Sequence, residues 1–136
     1  MAPALHEAAL RAVVAGASWA AANGLRVGIV VLDPSFTPVS ALTMDGAYPS
    51  VFEVARAKAR TALNFRASTA ALAASIKPES QRALADVVPG LMFIGGGMPI
   101  HGRSSVLGAV GVSGGSADQD AACAQHVVEA VEWEEG

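Results

Sequence analysis

Small and apolar residues recur at helical spacing from Leu5 through Ala9, Ala12, Gly16 and Trp19, and Asn23-Gly24 closes the run with residues that tolerate a left-handed turn. The period then changes. Val27 to Leu32 is apolar at consecutive positions, as a strand covered on both faces requires, until Asp33-Pro34-Ser35 interrupts it. Beyond Phe36-Thr37-Pro38, Val39 to Met44 reads as its hairpin partner and ends at Asp45-Gly46. Ser50 with Glu53 is a capping-box pattern that opens a long helix to about Phe65, Ser68-Thr69 caps a shorter one, and Pro78 suits the first turn of another. After Pro89-Gly90, Leu91 to Ile94 predicts a strand. Met98-Pro99-Ile100 predicts another, joined through His101-Gly102-Arg103-Ser104 to a strand from Ser105 to Val112. Ser116 and Gln119 repeat the capping-box pattern before a terminal helix reaching about Trp133. The order is αββααα followed by βββα, and strands joined by hairpins argue for an antiparallel sheet with helices on its faces. This is an α/β (α+β) arrangement in one domain, residues 1–136, with no internal repeat and no linker.

Composition adds an expectation of self-association. Hydrophobic residues make up 52% and charged residues 15%, against the roughly 25% charge of an ordinary soluble protein, so a lone monomer would expose apolar surface that copies of itself could cover. The net charge is −3 and the nine Lys and Arg residues are spread along the chain, which argues against nucleic acid as a partner. Glu7 and Arg11 interrupt the alanine-rich start where an export signal needs an uncharged core, and no apolar run approaches the roughly 20 residues that span a bilayer. With Cys123 the sole cysteine, these features point to the cytoplasm and away from a membrane.

Lys58 is the first candidate for chemistry. It falls in the middle of the stripe of Val51, Ala55, Ala62 and Phe65, nearly opposite Arg56 and Arg60, so its stem runs inward. It either snorkels along the helix, meets a buried carboxylate, anchors an anionic ligand, or serves as an amine of lowered pKa in a dry pocket. Asp120 lies near the inner stripe of Ala117, Ala121, Ala124, Val128 and Val131, where it is either favourable charge at a helix N-terminus or a general base. Gly95-Gly96-Gly97 and Gly114-Gly115 bracket the last hairpin, as tight turns or as backbone that a ligand approaches closely; neither has the spacing of a nucleotide loop. Asp45 belongs to a turn whose carboxylate could face the same recess. His6, His101 and His126 lack metal-ligand spacing and read as surface residues, although an exposed histidine can still bind haem iron where subunits meet; no metal site is expected, and Cys123 reads as a small core residue.

Met44-Asp45-Gly46-Ala47, Lys58-Ala59-Arg60-Thr61-Ala62, Gly95-Gly96-Gly97-Met98-Pro99-Ile100 and Gly108-Ala109-Val110-Gly111-Val112-Ser113-Gly114-Gly115 form a series that continues through Asp118-Gln119-Asp120-Ala121-Ala122-Cys123-Ala124. In this order, over nearly its whole length, the chain resembles the GlcG/HbpS family. The resemblance implies a five-stranded antiparallel sheet flanked by helices, self-association into dimers and larger rings and, for some members, haem binding or degradation. Lys58, Asp45 and Asp120 match family motif positions, and Gly95, Gly96, Gly97, Pro99, Gly114 and Gly115 are the candidate cofactor-binding residues. Asp33-Pro34-Ser35 replaces a glycine-rich turn, and Thr43 stands where the family usually has Arg, removing a cation near the expected pocket. Two functions follow as expectations. One is a small-ligand or cofactor-binding protein, with haem the named candidate. The other is a metal-independent isomerase, hydratase or lyase acting on a small oxygenated or carbonyl compound, in which Lys58 stabilises an oxyanion while Asp120 or Asp45 moves the proton.

Overall fold

In the computed structural model, which describes residues 4–133, the chain runs α1 (Leu5–Ala22), β1 (Gly28–Leu32), β2 (Pro38–Thr43), α2 (Val51–Phe65), α3 (Thr69–Ser75), α4 (Pro78–Val87), β3 (Gly97–His101), β4 (Val106–Ser113) and α5 (Ala117–Glu129). The strands form one antiparallel sheet in the order β2-β1-β4-β3. Alternation along β1 decides which layer each side chain joins. Val27, Ile29 and Val31 enter one core with Val13, Cys123, Ala124 and Val127 of α1 and α5, whereas Val30 and Leu32 enter another with Ala55, Ala59 and Ala62 of α2. The sheet is therefore covered on both faces, which is why β1 reads as a continuous apolar run. Helix α2 lies unusually close to it because Gly111 and Gly97 carry no side chain there: a Cβ at Gly111 would overlap the Ala55 carbonyl oxygen, and one at Gly97 the Lys58 carbonyl oxygen.

Three local expectations change. The sheet has four strands, not five, because Leu91 to Ile94 is not a strand. There the Met92 amide donates to Thr61 Oγ1 at 2.7 Å and Phe93 packs on Phe65, while the amide of Gly97, the first residue of β3, donates to Thr69 Oγ1 at 2.8 Å. Ser50 caps nothing with its side chain, since a preceding turn already gives it helical dihedrals. The terminal helix stops at Glu129 and not near Trp133, whose indole folds back to donate to the Val128 carbonyl at 2.8 Å. Ser68 and the Ser116–Gln119 box do cap α3 and α5. Among the described residues no helix is long and apolar enough to cross a membrane. The export-signal expectation rests partly on Met1, Ala2 and Pro3, which lie outside the described residues.

Candidate functional site

Lys58 and Asp120 meet. The Lys58 ammonium donates to Asp120 Oδ2 and to the Val112 carbonyl, each at 3.0 Å, and both residues are 2% exposed. Asp120 Oδ1 accepts the Gly115 amide at 2.8 Å, so each carboxylate oxygen has a donor. Lys58 starts in the α2 layer and Asp120 in the α5 layer; the stem crosses beside Gly96, where a Cβ would stand 2.9 Å from Lys58 Cδ and 3.0 Å from Asp120 Cβ. The pair joins the two helical layers at the corner where β3 begins, and it is the only salt bridge among the described residues. Of the four alternatives for Lys58, the buried carboxylate is the one observed.

The glycines around this pair are occupied by the chain's own atoms. A Cβ at Gly95 would stand 2.8 Å from the Ala117 carbonyl oxygen, one at Gly115 2.9 Å from Gln119 Oε1, and one at Gly114 would overlap the Arg26 carbonyl oxygen. Pro99 is buried in the edge strand β3, where its missing amide hydrogen is tolerated. Asp45 is exposed on the turn after β2, at the same end of the sheet but separated from β4 by β1, and it makes no ion pair among the described residues. Four cavities elsewhere on the surface are bordered by described residues, and Lys58, Asp120, Asp45, Pro99 and the two glycine clusters line none of these four.

Those cavities lie along the outer side of α2. One of about 270 Å³ is lined by Phe52, Glu53, Arg56, Ala57, Arg60 and Gly90; a second, of about 180 Å³, shares Arg60 and adds Phe36 and Asn64. A third, of about 390 Å³, shares Phe36 and Asn64 and extends to Arg66 and Val106; a fourth, of about 300 Å³, shares Arg66 and adds His101 and Arg103. Shared walls make them one furrow. It gathers four of the nine Lys and Arg residues of an acidic chain, and none of the four has a carboxylate partner among the described residues. The Arg60 guanidinium lies over the Phe36 ring at 5.5 Å. In the sequence, Arg56 and Arg60 read only as the outward face opposite Lys58. Their i, i+4 spacing was the available signal, while Phe36, Arg66 and Arg103 join them only through the fold.

His101 is exposed at the end of β3 beside a register irregularity that turns the strand, His126 is half-buried and stacked on Trp19, and His6 is exposed on α1. His126 is thus less exposed than its reading as a surface residue implies, because the buried line of α5 runs through Asp120, Cys123, Ala124 and Val127. Burial, and after it the neighbouring Asp120 carboxylate, pushes the Cys123 thiol from 9.0 up to about 12.

The sequence matches, over residues 5–129, a family described as haem-degrading protein HbpS-like. Among solved structures, HbpS is 30% identical, with 98% of this chain and 93% of that one aligned at a TM-score of 0.87. Protein ORFY of Klebsiella pneumoniae is 27% identical over 93% of this chain and 88% of its own, at 0.86. A haem complex of PduOC is 26% identical over 96% of each chain, at 0.85. No curated protein matches the sequence.

Proposed function

The chain belongs to the HbpS-like family, and from that premise we propose that it binds haem as its small-molecule ligand. The observation that carries the reading is the full-length likeness to a protein whose structure holds haem. The chemistry of the α2 furrow suits such a group: guanidinium groups for its carboxylates, an aromatic wall at Phe36, and the His101 imidazole in the cavity that also contains Arg66 and Arg103. Arg56 adds a buried Nε with no hydrogen-bond partner, a donor that an acidic ligand would satisfy. Bound haem would supply an iron centre for redox or ligand chemistry. The residues that would hold it are the furrow arginines, at its carboxylates, and His101, whose imidazole would be available to the iron. Binding is the step that degradation also requires, and degradation is the finer reading suggested by the family's description. Self-association and a cytoplasmic setting accompany the proposal, supported by the uncovered apolar side chains and the single buried cysteine.

Titration with hemin tests the proposal. A saturable Soret shift is expected, with His101→Ala altering the band and His6→Ala and His126→Ala leaving it unchanged; a shift that never saturates would sink the haem reading. The acid/base enzyme has less support, because Lys58 and Asp120 are paired with each other and border none of those four cavities.

A further inference from the structure

We infer that the furrow on the outer side of α2 is a carboxylate-recognition site, in which Arg60 and Arg66 take the acidic edge of a flat ligand and Phe36 packs against its body. The inference rests on the haem reading for the identity of that ligand and goes beyond it in placing the site and its selectivity. Three independent features converge on it. The first is charge: Arg56, Arg60, Arg66 and Arg103 line connected cavities on a chain of net charge −3, with Glu53 the one acidic residue in those walls. An arginine fork matches a carboxylate with two parallel hydrogen bonds, and stacking on an aromatic ring orients the fork beforehand; Arg60 has that support from Phe36, and its stem lies against Gly90.

The second feature is backbone strain. Among the described residues only Phe36 (φ 65°) and Arg66 (φ 53°) are non-glycine residues in the left-handed region, and both line the cavity of about 390 Å³. Glycine would be at ease at either place, so keeping a large side chain there costs stability that the fold alone does not require. At Phe36 the side chain supplies the ring under Arg60; at Arg66, the residue that ends α2, it supplies a guanidinium at the boundary between two cavities. The third feature is the partnerless Arg56 Nε, a buried donor at the other end of the same furrow.

The experiment compares hemin with hemin dimethyl ester, which keeps the macrocycle and iron but masks both carboxylates. Affinities are read from Soret titrations on the full chain at low ionic strength. The wild-type protein is expected to bind hemin at least tenfold tighter than the ester. Arg60→Met/Arg66→Met should bring the two affinities within about twofold, while Lys77→Met/Arg82→Met, which removes two exposed cations outside the furrow, should preserve the full ratio. Circular dichroism checks that both double variants fold. Equal wild-type affinity for the two compounds overturns the carboxylate site and leaves the haem reading standing; saturable binding of neither overturns the haem reading itself. A ratio that survives Arg60→Met/Arg66→Met, or one lost equally in Lys77→Met/Arg82→Met, refutes the assignment to these arginines.

Discussion

Replacing Lys58 by methionine should show what the buried pair does. The substitution keeps most of the length of the side chain and removes the ammonium, leaving the Asp120 carboxylate 2% exposed with the Gly115 amide as its remaining donor and depriving the Val112 carbonyl of its Lys58 contact. Taking one partner from a buried ion pair costs about 3–5 kcal/mol, because the other charge stays desolvated. Against a domain stability of about 5–15 kcal/mol that is a large share, and for a chain of this size it should lower Tm by on the order of 10–20 °C. Asp120→Asn should also destabilise, by stranding the ammonium. The double variant Lys58→Met/Asp120→Asn removes both charges and keeps an acceptor for Gly115, so it should recover to within about 2 kcal/mol of wild type. Urea unfolding at constant m-value, run as a double-mutant cycle, measures the coupling. If Lys58→Met costs less than about 1 kcal/mol, or the cycle returns no coupling, the pair does not hold the α2 and α5 layers together. Hemin affinity should be unchanged in the folded double variant, since the furrow does not include the pair.

Native Cys123 should resist thiol reagents at pH 8 and react once unfolded. Its folded pKa of about 12 lies above the unfolded value near 9, so its contribution is fully present below pH 9 and is lost as pH rises toward 12, by up to about 4 kcal/mol, measurable as a falling Tm. Gly111→Ala should push α2 off β4 and cost several kcal/mol, seen in thermal melts; a loss under about 1 kcal/mol would mean that the helix moves freely. Light scattering after size exclusion should give a multiple of the 13.7 kDa chain mass, and Leu10→Asp/Val14→Asp, on an exposed face of α1, should reduce it; a monomeric wild type at micromolar concentration refutes self-association.

Local signals in the sequence were informative wherever the chain's neighbours in space are also near in sequence. Asn23-Gly24 ends α1, Ser116 with Gln119 opens α5, and the β3–β4 hairpin needs only the polar segment from His101. They misled at Leu91 to Ile94, where an apolar run looks like a strand but Thr61, 31 residues from Met92, takes an amide that a ladder would use. Lys58 shows the same boundary. Helical periodicity turned its stem inward, yet its partner lies 62 residues away, so pairing and catalysis were equally compatible with the pattern. The furrow was hidden for a related reason: Phe36, Arg56 to Arg66 and His101 to Val106 come from three separate stretches, and arginines dispersed along the chain become a group only when a turn and a hairpin end beside α2.

A crystal structure of the protein grown with hemin would show where the ligand sits. Porphyrin density is expected in the furrow along α2, with carboxylates on Arg60 and Arg66 and the ring edge against Phe36. Porphyrin seated instead at the opposite end of the sheet, beside Gly96 and Gly114, would contradict that placement.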